Sequence, residues 1–224
     1  MALHKVELNL RLELASALHI GTGYGLAGYL DALTMTDAAG LPYVPGASLK
    51  GRLRYYADDL LRGWGYGPAG REPLNNLFGQ EDRAGSLTFG DLCLTDDWKN
   101  LLTEAGGAHA APGLRTERRT NVMLSRLRGV ALEQHLFTVE AAPAHLTFAG
   151  RIFGALPDGG RVTTSAWGDC PHDLALLAAA VQALTHLGGR KSRGLGRCQL
   201  QIPPSGLTVN DRPVDAVALL EALR

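Results

Sequence analysis

The segment Leu41-Pro42-Tyr43-Val44-Pro45-Gly46-Ala47-Ser48-Leu49-Lys50-Gly51-Arg52 leads into an amphipathic helix that we predict over residues 49–61. Apolar side chains recur in this helix at spacings of three and four residues, which gathers them on one face that can pack on a core. They are Leu49, Leu53, Tyr56 and Leu60. Ser48 or Ala47 is expected near the N-cap of this helix.

The other side of the predicted helix is basic, with Lys50 and Arg54 sharing a face and Arg52 near them in the sequence. Cations in the first turn oppose the helix dipole and cost about 0.3–1 kcal/mol unless an anion is bound there. This arrangement costs stability but suits a phosphate group at the helix N-terminus. A solvated basic face without a ligand is the alternative interpretation.

A second basic segment is Leu187-Gly188-Gly189-Arg190-Lys191-Ser192-Arg193-Gly194-Leu195-Gly196. Glycine permits positive φ angles and a close approach of the main chain to a ligand. Successive N–H groups in such a loop can form an anion-binding concavity, which Arg190, Lys191 and Arg193 would reinforce with charge. A polyanion is the natural ligand. The alternative is a helix C-cap at Gly188 and Gly189 followed by a solvated basic turn.

A third basic cluster runs from Arg115 to Arg128 and alternates with apolar residues. Its cations are Arg115, Arg118, Arg119, Arg126 and Arg128, and the interleaved apolar residues are Val122, Met123, Leu124 and Leu127. A basic extension with apolar tips suits insertion between stacked bases.

The chain has no excess of positive charge, so its affinity for nucleic acid depends on where the cations lie. The chain has 224 residues, 22 Lys and Arg against 22 Asp and Glu, and a net charge of zero. Affinity for nucleic acid must therefore come from clustered cations. Three widely spaced cysteines argue against a disulfide framework or a CxxC zinc site. We find neither a signal peptide nor an apolar span for a bilayer, and expect a soluble, cytoplasmic protein.

Periodicity predicts strands and helices in one domain. Apolar and polar residues alternate over residues 6–14, 145–153 and 198–202, the pattern of strands with one buried face. A helix that is apolar nearly all round is predicted over residues 174–187, ending at Gly188. Residues 63–83 are rich in Gly and Pro and are predicted to form a loop.

Three of these segments together resemble the RAMP superfamily, the RNA-binding proteins of CRISPR effector complexes. The glycine-rich loop resembles the C-terminal loop of the family, and residues 41–52 resemble a motif of type III backbone subunits. Residues 118–128 are similar to the inserted thumb of the family. The resemblance implies one RAMP domain over residues 1–224, α+β in class, with a ferredoxin-like (RRM-like) core, extra loops and a β-hairpin thumb near residues 115–140.

The resemblance also implies a function. It implies a guide-RNA-binding backbone subunit of a type III effector in antiviral defence. The partners implied are guide (CRISPR) RNA, target RNA, other copies of the subunit in a filament and other effector subunits. No membrane is implied. Phosphate contacts would position the guide, and base pairing would supply specificity. The RNA-binding residues implied are His19, Ser48, Lys50, Arg52, Arg54, Arg118, Asn121, Arg126, Gly189, Arg190, Lys191 and Arg193.

In catalytic members of the family, an aspartate ahead of the type III motif supports metal-dependent cleavage of target RNA. Asp31 occupies that place, where it would ligate Mg²⁺ or another divalent cation, or orient a 2′-hydroxyl. Asp37 is the competing residue, but its Asp-Ala-Ala-Gly setting predicts a structural turn. The alternatives are a scaffold subunit without catalysis and a guide-processing ribonuclease using His19, for which the chain looks too short.

Overall fold

The computed structural model describes residues 3–67, 70–104, 115–157, 161–164 and 168–221. Its strands are β1 (Leu3–Leu14), β2 (Gly79–Gln80), β3 (Arg83–Ala84), β4 (Leu87–Phe89), β5 (Cys93–Leu94), β6 (Glu117–Leu124), β7 (Ala131–Ala141), β8 (Thr147–Pro157), β9 (Arg161–Thr164), β10 (Gly168–Pro171), β11 (Cys198–Gln201), β12 (Leu207–Val209) and β13 (Arg212–Pro213). Its helices are α1 (Gly46–Gly63), α2 (Glu72–Phe78), α3 (Asp96–Glu104), α4 (His172–Ala183) and α5 (Ala216–Glu221).

A seven-stranded antiparallel sheet forms the centre of the fold. β1 and β8 pair along their length, from Leu3 opposite Pro157 to Glu13 opposite Thr147. The other edge of β1 pairs with β12 near the start of β1 and with β11 near its end, and β12 pairs in turn with β13. The free edge of β8 pairs with β4 and β5. Helices packed with an antiparallel sheet agree with the predicted α+β class.

The core lies on one face of this sheet. Alternate residues of β1 from Val6 to Leu14 are buried, as the period of two predicts, and they join one cluster with the apolar faces of α1 and α4. α4 is buried along most of its described length, in agreement with its apolar sequence. The opposite face carries the exposed Asn9 and Arg11. Within the described residues, no helix has both the length and the apolarity needed to cross a bilayer.

Two predicted helix boundaries are wrong. α1 begins at Gly46 after Pro45, which offers no side-chain cap, instead of near Ser48 or Ala47. The Gly46 N–H instead donates to Asp91 Oδ1 at 2.7 Å, a cap supplied by a distant segment. α4 ends at Ala183 rather than Gly188, because residues 185–187 pair with residues 196–198 through backbone hydrogen bonds and an isolated bridge.

The predicted loop at residues 63–83 contains α2 and β2, which is a third correction. Leu74, Leu77 and Phe78 of α2 are buried in the core, and Phe78 stacks on Phe89 of β4 with ring centroids 5.5 Å apart. Burial of these three apolar side chains stabilises a helix too short to form alone.

β6 and β7 form a hairpin that stands apart from the central sheet. They pair from Glu117 opposite Ala141 to Leu124 opposite Ala131, with an irregularity between Val122 and Leu124. The hairpin lies over the residues where the sequence predicts an insertion. Its far end is apolar yet exposed, and Leu127 in the turn is 94% exposed.

Candidate nucleic-acid interface

Asp31 lies at the base of the hairpin, along the edge of β7 that faces away from β6. Its backbone N–H donates to the Thr138 carbonyl at 2.9 Å, and its Oδ2 accepts from the Thr138 N–H at 2.6 Å. The next residue, Ala32, forms a parallel bridge with Val139. Asp31 is exposed. One carboxylate oxygen is therefore anchored while the group as a whole faces solvent.

The surroundings of Asp31 limit how a metal could bind. Among the residues that the structure describes, no group of three or more His, Cys, Asp or Glu side chains could hold a metal ion. Asp31 thus offers its own carboxylate but does not belong to a cluster of three such side chains. This donor set fits Mg²⁺ only if RNA phosphates and water supply the remaining ligands, as is common where that ion binds nucleic-acid or nucleotide substrates.

Asp37 has the structural role that its sequence setting predicts. Its Oδ1 accepts hydrogen bonds from the N–H groups of Ala39 and Leu41, both at 2.9 Å. The Gly40 N–H also donates to the Asp37 carbonyl. The carboxylate therefore closes its own turn.

The basic loop has the backbone conformation that its glycines permit. Gly188, Arg190, Gly194 and Gly196 have positive φ, and Lys191–Arg193 form a short 3-10 turn between them. A side chain at Gly196 would collide with the Leu187 carbonyl, so only glycine fits there. Positive φ and the close approach to Leu187 therefore both favour glycine in this loop.

The cations of this loop lie against the hairpin. The guanidinium groups of Arg190 and Arg193 lie 5.2 and 4.7 Å from the centre of the Phe137 ring on β7. Within the described part of the chain, neither arginine nor Lys191 forms a salt bridge. Phe137 precedes Thr138, the residue that binds Asp31. The structure thus brings Arg190 and Arg193, neither of them paired with a carboxylate, and the candidate carboxylate to consecutive residues of β7.

The buried His19 connects the basic loop to the hairpin. Its side chain is only 6% exposed, its Nδ1 lies 2.6 Å from the Glu140 carbonyl, and its own carbonyl accepts from the Gly189 N–H. Because a carbonyl can only accept, Nδ1 carries the proton. These contacts make His19 a structural connection between Gly189 and β7.

The basic residues of α1 are divided between its two sides. Arg52 Nε donates to the His186 carbonyl at 3.2 Å, close in sequence to the basic loop. Arg54 instead donates to the Gly79 carbonyl at 2.8 Å, and Lys50 lies 5.9 Å from the centre of the Phe89 ring. These contacts bring Arg52 to the segment before the basic loop and turn Lys50 and Arg54 toward β4 and β2.

The N-terminus of α1 already has a negative group beside it. The Asp91 carboxylate accepts a hydrogen bond from the Gly46 N–H. It therefore supplies at the helix N-terminus the negative charge that was expected from a bound phosphate. Ser48 is half-buried in the first turn, where its N–H donates to the Pro45 carbonyl.

Three predicted RNA-binding residues lie on the hairpin. Arg118 is exposed, and its guanidinium lies 4.1 Å from the centre of the Tyr29 ring. Asn121 is half-buried opposite Phe137, and Arg126 is exposed in the turn. Arg118 and Asn121 lie opposite Glu140 and Phe137, near the Asp31 segment, whereas Arg126 lies at the far end of the hairpin.

Cys198 begins the strand that follows the basic loop and is an unsuitable nucleophile. Burial raises the pKa of its thiol to about 12, although the nearby Arg52 charge acts in the opposite direction. The thiol is therefore protonated at neutral pH.

Glu140 is a residue of this site that the sequence analysis missed. Its Oε2 accepts from the Thr34 N–H at 3.1 Å, its Oε1 accepts from the Thr116 hydroxyl at 2.6 Å, and its N–H donates to the Ala32 carbonyl. One side chain thus ties the Asp31 loop to the hairpin base. The only local signal for this role is an acidic residue at the end of a strand.

Replacing Glu140 with alanine is expected to lower the free energy of unfolding by about 1–3 kcal/mol, because the buried Thr34 N–H loses its acceptor. Urea denaturation measures this change. Glu13→Ala is the matched control, since it removes an exposed carboxylate paired with Arg11 and should cost about 0–1 kcal/mol. Equal losses in the two variants would contradict the structural role of Glu140.

Comparison with known proteins agrees with this fold. The sequence profile of the RAMP superfamily matches residues 11–199. A chain in the cryo-EM structure of the Type III-B Cmr-beta apo state superposes with a TM-score of 0.63 at 14% identity, covering 89% of this chain and 98% of that chain. A chain of Type III-B Cmr-beta bound to cognate target RNA gives a TM-score of 0.59 at 14% identity, covering 87% and 96%.

The structural similarity at this low identity establishes a shared fold. No curated protein sequence matches the chain. The profile match covers most of the sequence, including the type III motif, the hairpin and the basic loop. The chain therefore belongs to the RAMP superfamily.

Proposed function

We propose that this chain is a guide-RNA-binding backbone subunit of a type III CRISPR effector and that it cuts the paired target RNA. The observation that carries the proposal is the meeting of Asp31 and the basic loop at consecutive residues of β7, Phe137 and Thr138. An RNA strand that crosses the outer edge of β7 would pass the cations that lie against Phe137 on one face of the hairpin and then the Asp31 carboxylate at the edge itself.

The order of elements supports a ferredoxin-like (RRM-like) core. Strands and helices alternate as β1, α1, β4 with β5, β8, α4, and β11 with β12, which follows the β-α-β-β-α-β plan. β1 and β8 are the central strands of the sheet. In this proposal the hairpin of β6 and β7 is the thumb.

The free cations support binding to the RNA backbone. Lys191 and Arg193 are exposed, and a phosphate track contacts cations of this kind without reading sequence. The proposed partners are guide RNA, target RNA, further copies of this chain and other effector subunits. One structural relative is bound to cognate target RNA, which supports RNA as a ligand of the shared fold.

The proposed cleavage uses Asp31. Its carboxylate would accept the proton of a 2′-hydroxyl while the 2′-oxygen forms a bond to the adjoining phosphorus and the bond from phosphorus to the 5′-oxygen breaks. The leaving 5′-oxygen takes a proton from water. Asp31 would also hold a divalent cation, whose charge stabilises the transition state when it is bound together with RNA phosphate. The Thr138 N–H keeps the carboxylate in position.

A scaffold subunit without catalysis is the second candidate. The observation that favours it is the lone carboxylate, since the described residues contain no acidic cluster around Asp31. A guide-processing ribonuclease has less support, because the candidate base His19 is buried and its Nδ1 is bonded to Glu140.

Replacing both Lys191 and Arg193 with alanine is expected to weaken RNA binding and to flatten its salt dependence. Each lost contact with single-stranded RNA lowers the slope of log affinity against log salt by about 0.7, so two contacts lower it by about 1.4. Fluorescence anisotropy at several salt concentrations measures the slope. An unchanged slope would contradict phosphate contact by this loop.

Two further variants complete this test. Lys5→Ala is the control, because it removes a positive charge that pairs with Asp211, and it should leave the slope unchanged. Lys50→Ala tests the opposite side of α1. If Lys50 binds RNA, as the family resemblance implies, this substitution lowers the slope by about 0.7.

A further inference from the structure

Tyr29 and Arg118 form an exposed stack beside Asp31. The Arg118 guanidinium lies 4.1 Å from the centre of the Tyr29 ring, the shortest such distance among the described residues. Tyr29 is 53% exposed, and Arg118 is exposed as well. Tyr29 precedes Asp31 by two residues.

The strand order places this stack over the hairpin base. Arg118 lies on β6, opposite Glu140 of β7, whereas the Asp31 segment pairs with the other edge of β7. Arg118 must therefore extend across β7 to reach Tyr29. The side chains of Arg118, Thr138 and Glu140 project from the same face of the hairpin, because residues two apart on a strand, or directly opposite across a pair, share a face. The stack thus lies at the hairpin base, near the Asp31 segment that pairs with β7.

The Tyr29 ring is not required to hold its own loop. Backbone hydrogen bonds close the loop, with the Leu26 N–H donating to the Leu30 carbonyl at 2.6 Å and the Leu30 N–H donating to the Leu26 carbonyl at 2.9 Å. The buried side chain of this loop is Leu30. An aromatic ring that is half exposed and covered by a guanidinium has the chemistry of a platform for nucleobases.

We infer that Tyr29, stacked with Arg118, binds an unpaired nucleobase of RNA next to the phosphate that Asp31 faces. The inference rests on the proposed function and deepens it by assigning a base-binding residue. Stacking is tolerant of sequence because every base has a flat face, so the platform would order the nucleotide without selecting it. An ordered base would fix the adjoining 2′-hydroxyl relative to Asp31.

Photocrosslinking tests this assignment on the full chain with single-stranded RNA in which every uridine is 5-iodouridine. This probe crosslinks to aromatic side chains in contact with the base, and peptide mass spectrometry identifies the residue. We expect crosslinks at Tyr29 in excess over Tyr24. Tyr24 is the internal control, because it lies in the same loop and is more exposed, at 77%, so exposure alone would favour it. Crosslinking at Tyr24 without Tyr29 would overturn the inference.

Variants of the pair separate stacking from charge. Tyr29→Leu should weaken RNA binding about fivefold or more, whereas Tyr29→Phe should bind as the native chain does, and both should keep the native salt slope. Arg118→Lys should keep the slope but reduce crosslinking at Tyr29, because an ammonium cannot hold the ring as a planar guanidinium does.

The outcomes distinguish this inference from the proposed function. If the Lys191 and Arg193 variant loses salt dependence while Tyr29→Leu binds RNA normally and Tyr29 does not crosslink, the base platform is wrong and RNA binding stands. If the chain binds no RNA, both are wrong. If Tyr29→Leu and Tyr29→Phe lose affinity equally, the hydroxyl rather than ring stacking matters, which also overturns the platform.

Discussion

Replacing Asp31 with asparagine is expected to reduce cleavage of paired target RNA by at least about 100-fold while RNA affinity changes by less than about twofold. Asparagine keeps an oxygen that can accept the Thr138 N–H, so the Asp31 segment should stay paired with β7. It loses the negative charge that accepts a proton or binds a cation. The expected loss therefore reports chemistry rather than misplacement of the loop.

The measurement is cleavage of labelled target RNA by an effector complex assembled with the variant chain, alongside anisotropy for RNA binding. Asp37→Asn is the matched control, because the amide oxygen can still accept from Ala39 and Leu41 and cleavage should continue unchanged. Cleavage that survives in Asp31→Asn would exclude this site. A native complex that binds target RNA and does not cut it would support the scaffold alternative.

Elements with a strong period are predictable from this sequence because their signal is local. The alternation in β1 from Val6 to Leu14 follows from one buried and one exposed face, and the structure has that burial pattern. The apolar composition of α4 similarly predicts its burial. The position of its end is less predictable, because Leu184 and Leu187 remain buried although they are no longer helical.

The contacts that build the candidate site join residues far apart in the chain. Asp31 binds Thr138, and the Gly46 N–H at the start of α1 binds Asp91. No local pattern encodes such pairs, since each depends on how the sheet brings its loops together. The role of Glu140 could not be predicted for the same reason, because it depends on contacts with the distant Thr34 and Thr116.

One property of the basic helix could have been read from the sequence. Successive residues of a helix are separated by about 100°, so Arg52 lies on one side of the stripe formed by Leu49 and Leu53, while Lys50 and Arg54 lie on the other. The contacts of Arg52 with His186 and of Arg54 with Gly79 follow this division. The cations of α1 are therefore clustered in the sequence but divided between two sides of the helix.

Replacing Gly196 with alanine is expected to lower the free energy of unfolding by about 2–5 kcal/mol and to weaken RNA binding. The residue has a φ of 80°, which costs an L-residue about 1–2 kcal/mol. The new methyl group would also collide with the Leu187 carbonyl, adding about 1–3 kcal/mol. Displacement of Gly196 would strain its hydrogen bonds with Ala17 and Leu187, which position the end of the basic loop.

Gly194→Ala provides the comparison that isolates the steric effect. Gly194 has the same φ of 80°, but a methyl group there would meet no atom within 4 Å, so only the conformational cost of about 1–2 kcal/mol is expected. Urea denaturation gives both values, and anisotropy gives the RNA affinity. Equal destabilisation would mean that backbone conformation alone selects these glycines. A larger loss in Gly196→Ala, with weaker RNA binding, would show that the close contact with Leu187 fixes the conformation of the basic loop.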